Sequence, residues 1–338
     1  MMAINYIIVS SLLAFTTVNS QIIENLFERW VEKFKIIIES KEKYSEIFDK
    51  WLDNHKYIES INSKNLTYTL GHNQFSGMNS YDFRKYLGLS KDLKYGDYEN
   101  HETKILDESY ETASSVDWVS SGAVTAVKDQ GQCGSCWSFS TTGALEGAFY
   151  LKNGNLQSFS EQQLVDCDTY KNGGKDFGCN GGLMDNAFNW ISKNGGLCSE
   201  SEYPYVSGTT TKSGSCEKDC ATIANSGIKS FVDVTPSSDE QMMKAVSQQP
   251  VSVAIEADQR DFQLYKSGVF TSSCGTDLDH GVLVVGYGTK DGLDYYRVKN
   301  SWADTWGDEG YIYLGRGSQY NDGDGQCGVL LQASYPVL

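Results

Sequence analysis

The stretch from Gln130 to Phe139, "QGQCGSCWSF", puts two cysteines three positions apart beside a tryptophan. That spacing suits a redox dithiol, half of a zinc site, or a thiol nucleophile next to a structural disulfide. A redox pair of the thioredoxin type belongs early in a βαβ unit, but no strand pattern precedes this motif and seven further cysteines surround it. A zinc site would need a second pair, and Cys216 with Cys220 offers only a loose spacing. The third reading requires a base. Of the four histidines, His55, His72 and His101 precede the cysteine motif, which leaves His280, in "CGTDLDHGVLVVGYG", as the base by elimination.

The chemistry of such a pair is coherent. A thiol of pKa about 8.5 is a poor nucleophile in acid, but a helix N-terminus and an imidazolium together lower that value by several units. The thiolate then attacks a carbonyl carbon and the imidazolium protonates the leaving amine. A third group should hold the imidazole by its other nitrogen, and "RVKNSWADTWGDEGY" supplies Asn300, with Trp302 as a shield against water. Nine cysteines, all at or after Cys133, leave one thiol over if the rest pair, so the count itself asks for a special cysteine.

The elements that must position these groups follow from pattern. "CWSFSTTGALEGAFYLKNG" has helical spacing, with Ser135 placed to cap it, Cys136 in its first turn and Gly154 as its stop. "SFSEQQLVDC" offers Ser160 and Gln163 as a capping box, and "LMDNAFNWISKNGG" reads as a helix with a Gly-Gly end. Later, "PVSVAIEA", "HGVLVVGYGT", "DYYRVKN" and "EGYIYLGRG" read as strands. A helical half followed by a β half leaves room for a cleft between them.

Residues 21–112 are charged, helical in pattern and free of cysteine, and the composition changes near residues 112–115. Before them, "MMAINYIIVSSLLAFTTVNSQ" reads as a signal peptide over residues 1–20, its apolar run shorter than the roughly 20 residues of a membrane span. That start predicts the secretory pathway and a disulfide-permissive setting. A net charge of -16 argues against nucleic acid or an anionic membrane as the main partner, and no later segment has the length and apolarity of a span.

With these residues in view, the chain resembles the papain family of cysteine proteases, in its cathepsin L-like branch. The signature Cys133-Gly134-Ser135-Cys136-Trp137 is that family's, and "GAVTAVKDQG", "GCNGGLMDNAF", "DHGVLVVGYG", "KNSW" and "WGDEGY" follow in order. The resemblance implies an α+β, papain-like two-domain fold made as a preproenzyme, with a helical left domain, an antiparallel β-barrel-like right domain and a cleft between. Residues 1–20 would be the signal peptide, 21–112 an inhibitory propeptide and 113–338 the peptidase domain.

Residue by residue, it implies Cys136 as nucleophile, His280 as acid/base, Asn300 as orienter and Gln130 as oxyanion-hole donor. Substrate would meet Gly181, Gly182, Leu183, Met184, Ala254, Leu278, Asp279, Gly281, Trp302 and Gln332, a mostly apolar set that favours a hydrophobic residue two before the scissile bond. It implies disulfides Cys133–Cys179, Cys167–Cys216, Cys198–Cys220 and Cys274–Cys327, no metal or cofactor, and a monomer. Its partners would be protein and peptide substrates, its own propeptide and cystatin-type inhibitors, in a lysosome-like acidic compartment or outside the cell.

Two positions depart from the family pattern. Gly77 stands where "G-x-N-x-F-x-D" ends in Asp, a candidate trigger for release in acid, after Gly71, Asn73 and Phe75. Ala303 stands where Gly is usual. Of the helical interspersed motif, only Asn54, Ile58 and Asn62 fit. "NLT" at Asn65 is the glycosylation sequon, in the section to be removed.

Overall fold

The computed structural model describes residues 21–89, 101–103, 112–217 and 219–338; the expected signal peptide lies outside them. Helix α1 runs through residues 21–33. It is followed by α2 (Lys41–Asn62), β1 (Tyr68–Leu70), α3 (Ser80–Phe83), β2 (His101–Thr103) and β3 (Val116–Asp117). The helical half holds α4 (Cys136–Asn153), α5 (Glu161–Cys167), α6 (Met184–Asn194) and α7 (Ser207–Thr210). The β half adds β4 (Ser230–Asp233), α8 (Asp239–Gln248), β5 (Val251–Ile255), α9 (Arg260–Gln263), β6 (Tyr265–Phe270), β7 (His280–Lys290), β8 (Leu293–Lys299), β9 (Tyr311–Gly315) and β10 (Ala333–Val337).

The strands form one sheet in the order β1-β6-β9-β8-β7-β5-β10-β4-β2, with β3 also on β7. Pairing is antiparallel except for β6 with β9 and β2 with β4. One apolar core gathers Val253, Val284, Val298 and Ile312 of the sheet. A second joins Trp137, Leu145, Leu164 and Phe188 of the helices to Leu283 and Val285 on β7. Strand β7 therefore belongs to both cores, and the residue that begins it stands at their junction.

Local sequence explains most boundaries. Gly154 closes α4 at φ 77, Gly195 closes α6 at φ 80, and both are left-handed positions that glycine adopts without strain. Two expected caps differ. Ser135 precedes α4, but its hydroxyl bonds the Tyr205 hydroxyl at 2.7 Å and caps nothing. Ser160 accepts from the Gln163 N–H, but the Gln163 Oε1 accepts the Cys198 N–H at 2.8 Å, so the box is half formed. In both, a tertiary partner outbids the local one.

The section before residue 90 is not wholly helical, because β1 pairs with β6 some 200 residues away, with Tyr68 opposite Gly268. Helices α1 and α2 pack through Phe27, Trp30 and Trp51. The three motif residues on α2 then have physical roles. Asn54 donates to the Ser76 and Met78 carbonyls, Asn62 brackets Leu70 through both backbone groups, and Ile58 is buried in the β-half core. At Gly77, a Cβ would fall 2.8 Å from both Ile47 Cγ2 and Trp30 Cη2. Packing leaves no room there for a carboxylate. Asn65, of the sequon, is exposed at φ 50.

Candidate active site

Cys136 is the first residue of α4 and fully buried; its Sγ accepts the Gly281 N–H at 3.3 Å. It is the free cysteine among four disulfides, Cys133–Cys179, Cys167–Cys216, Cys198–Cys220 and Cys274–Cys327. His280, immediately before Gly281, begins β7 and stacks on Trp302 with ring centroids 4.5 Å apart. Its Nε2 lies 2.8 Å from Asn300 Oδ1. That oxygen also accepts the Ser301 N–H at 2.8 Å, which fixes it as an acceptor and Nε2 as the protonated nitrogen. Nδ1 is left buried with no hydrogen-bond partner.

Gln130 is buried beside them. Its Oε1 accepts from Ser301 Oγ at 2.7 Å, which aims the amide nitrogen at the Cys133 and Tyr86 carbonyls, each at 2.9 Å. Ser301 is a positioning residue that sequence reasoning missed, although "KNSW" contains it. Tyr205, of "YPY", was missed as well; its hydroxyl donates to the Gln130 carbonyl at 2.8 Å.

The second acceptor of Gln130, Tyr86, belongs to the N-terminal section, whose chain crosses the site. Gly88 O accepts the Gly182 N–H at 3.2 Å, and Leu89 donates to Asp279 O at 3.0 Å. Leu89 and Leu278 pack against the cluster that holds Met184 and Ala254. Phe75 and Phe83 meet Trp302 edge-on at 5.3 and 5.2 Å. Gly182 must lack a side chain, since a Cβ would fall 2.5 Å from the Trp137 ring. Gly181 sits at φ 110. The Gln332 carbonyl accepts the Ala254 N–H, and with Met184 the residue lines a cavity of about 240 Å³.

Burial by this crossing segment governs the charges. Loss of water pushes the Cys136 thiol up to about 12, against the partial help of the Gly281 and Gly88 backbone. The same desolvation pulls His280 down to about 4, opposed by the bond to Asn300. In the covered site the pair is thiol and neutral imidazole. Among the described residues no group of three or more metal-ligating side chains occurs.

Comparison with known proteins gives the family. Residues 112–337 match the papain family cysteine protease model and residues 27–83 the cathepsin propeptide inhibitor domain. Cysteine protease XCP2 of Arabidopsis thaliana is 44% identical over 314 residues, covering 92% of this chain and 85% of that protein. Vignain of Ricinus communis is 43% identical over 317 residues, covering 92% and 85%. Among solved structures, a recombinant stem bromelain precursor superposes with TM-score 0.83 at 35% identity, covering 94% of this chain and 99% of that one. Digestive procathepsin L 3 of Tenebrio molitor larval midgut gives TM-score 0.80 at 37% identity, covering 94% and 99%. The chain that folds its own N-terminal segment across a buried cysteine belongs to the papain family of cysteine proteases, as a cysteine endopeptidase that carries its inhibitory propeptide.

Proposed function

We propose that Cys136 and His280 are the nucleophile and acid/base of this endopeptidase, released when residues 21–112 leave the cleft. The observation that carries the reading is the His280 imidazole, held by Asn300 through Nε2, with an unpartnered Nδ1, one residue from the N–H that meets Cys136 Sγ. Once the cleft admits water, the desolvation that keeps both groups neutral is relieved. The helix N-terminus under Cys136 then favours thiolate, and the thiolate favours imidazolium.

The thiolate attacks the scissile carbonyl carbon, forming a C–S bond and an oxyanion. Gln130 Nε2, aimed by Ser301, and the Cys136 N–H stabilise that charge. His280 gives its Nδ1 proton to the leaving amine as the C–N bond breaks. The acyl-enzyme thioester then takes a water whose proton returns to His280, and the acid leaves. Asn300 keeps the ring in the required tautomer throughout.

Substrate backbone pairs with Gly182 and Asp279, the groups the Gly88–Leu89 segment now occupies. A hydrophobic residue two before the scissile bond is accommodated beside Met184, Ala254 and Leu278, as Leu89 is here. We place the processing bond near residue 113 and the protein in the secretory pathway.

The test is cleavage of a blocked Phe-Arg or Leu-Arg fluorogenic peptide after acidification of the proenzyme to about pH 5, with and without an epoxide thiol inhibitor. Inhibitor-sensitive activity that is absent from Cys136→Ala supports the assignment. A folded, processed protein whose Cys136 is not labelled overturns it.

A further inference from the structure

Asp168 follows α5 and Asp176 lies in the loop that leads to Cys179; they are 0% and 1% exposed. The loop closes on itself, with the Asp176 N–H donating to the Asp168 carbonyl at 3.1 Å and the Lys175 N–H to Asp168 Oδ1 at 3.1 Å. Asp176 Oδ1 in turn accepts the Leu183 N–H at 3.0 Å and Asn186 Nδ2 at 2.7 Å. The Oδ2 atom of each carboxyl has no donor among the described residues, and the two carboxyls lie within hydrogen-bonding reach of each other. Two carboxylates so placed away from water cannot both ionise, and one proton between them satisfies both orphan oxygens.

The Asp176 member of the pair stands against Gly182. A Cβ on that glycine would lie 2.5 Å from Trp137 on one side and 2.7 Å from Asp176 Cγ on the other. We propose that Asp168 and Asp176 share a proton and thereby position the Gly182–Leu183 backbone for substrate, so that losing the proton loosens substrate binding. This rests on the reading of Gly182 as a partner of the substrate backbone.

The surrounding charges allow it. The charge acting on Asp168 from outside the pair is that of Lys175, on the same loop. Asp166 turns away to Gln162, Tyr203 and Gly214, and Asp185 to Ser334. Helix α6 presents the neutral Asn186, and α4 the Trp137 ring. Desolvation pushes Asp168 up to about 7, and desolvation with the Asp168 charge raises Asp176 well above the carboxylate range. The pair therefore still keeps one proton between its two carboxyls at neutrality and yields it only above.

The experiment measures kcat and KM of the activated enzyme for a blocked Phe-Arg peptide from pH 5 to 8.5, in wild type, Asp176→Asn and Asp176→Ala. The infrared difference between wild type and Asp176→Asn at pH 6 reads the protonated carboxyl of the pair, since any band from the raised Glu200 carboxyl cancels. We expect the wild-type KM to rise roughly fivefold above neutrality, toward pH 8.5, the worth of one backbone hydrogen bond. In Asp176→Asn, KM stays flat, since the amide donates to Asp168 and still accepts from Leu183, and the infrared band is lost. Asp176→Ala has a raised KM at every pH. No carboxylic-acid band in that difference, or a wild-type KM rise in Asp176→Asn, overturns the proposal. A band present with unchanged KM in Asp176→Ala instead overturns the reading of Gly182, leaving the shared proton intact.

Discussion

Gly88 of the N-terminal segment rests so closely on Gly134 of the Cys133–Trp137 motif that a Cβ at position 88 would fall 2.2 Å from the Gly134 carbonyl carbon and oxygen. Both neighbours are backbone, anchored by the Cys133–Cys179 disulfide and by the Gly134 N–H bond to Cys179 O at 3.0 Å. Nothing can yield except the propeptide. Gly88→Ala should therefore lift the segment and weaken inhibition by about 1–3 kcal/mol, the usual cost of overpacking. The measurement is epoxide labelling of Cys136 in the intact proenzyme at pH 7, which should be roughly 5- to 100-fold faster than in wild type.

The covered and open sites should differ sharply in thiol chemistry. With Cys136 pushed to about 12 and His280 pulled to about 4, the proenzyme holds no thiolate at pH 6 to 9. Removing the propeptide restores water, which lowers the thiol and raises the imidazole. Iodoacetamide labelling should be negligible in the proenzyme across that range and fast in the activated enzyme even in mild acid. Equal rates in the two forms would contradict the assignment.

How much of this was legible in the sequence follows from the range of the interactions. Cys136, His280, Asn300 and Gln130 sit in short motifs that pattern alone singles out, and the helix that begins at Cys136 ends at Gly154, so local reading could nominate them. Ser301 and Asp176 act through a side-chain bond or a loop closure that only the folded chain brings together. The Ser135 hydroxyl looked like a cap because its competitor, Tyr205, is 70 residues away. Strand β1 was hidden in a section of helical pattern because three residues, Tyr68–Leu70, take their strand character from β6.

Acid should destabilise the propeptide through His72. Its Nε2 lies 3.0 Å from His55 Nδ1, both rings stack with Trp51, and Glu59 stands 3.6 Å from the far nitrogen of His55. Burial, with the His55 charge, lowers His72 from 6.5 to about 4. A depressed histidine stays neutral in the fold while the unfolded chain protonates. The stability it contributes is thus complete above about pH 6.5 and is lost as pH falls toward 4, by at most about 3 kcal/mol. Urea unfolding of the Cys136→Ala proenzyme between pH 7.5 and 4.5 should show this loss, and His72→Gln should flatten it. With Gly77 lacking a carboxylate, an unchanged slope in His72→Gln would move the acid response to another group.

Ala303 carries a small strain that can be relieved. It sits at φ 58, with its N–H bonded to the Lys128 carbonyl at 3.0 Å, so the backbone cannot relax to the right-handed region without losing that bond. A left-handed alanine costs about 1 kcal/mol, which glycine avoids at some loss of unfolded-state restriction. Ala303→Gly should leave kcat near wild type and raise the unfolding midpoint by a degree or more in calorimetry. A lowered midpoint would mean that the methyl's packing beside Trp302 outweighs the strain.

Beneath the site lies a charge cluster that should be intolerant of change. Lys128 Nζ contacts Glu146 at 2.9 Å and Glu161 at 2.5 Å, both carboxylates being 1% exposed, while Thr125 and Thr142 donate to one each. Lys299 completes the cluster; burial lowers its ammonium to about 8, opposed chiefly by Glu146. Together with Asn300, Ser301 and Gly281 these side chains line one small cavity, so the cluster is the floor on which the Asn300–Ser301 loop rests. Lys128→Met fills a similar volume but leaves two buried carboxylates facing each other with only a weakened Lys299 nearby. The expected cost is about 3–5 kcal/mol, the penalty for an uncompensated buried charge. Urea unfolding at pH 7 should report it, and the loss should shrink toward pH 5 as the stranded carboxylates take up protons. A loss that is small at pH 7, or that grows in acid, would show that Lys299 alone suffices to balance the pair.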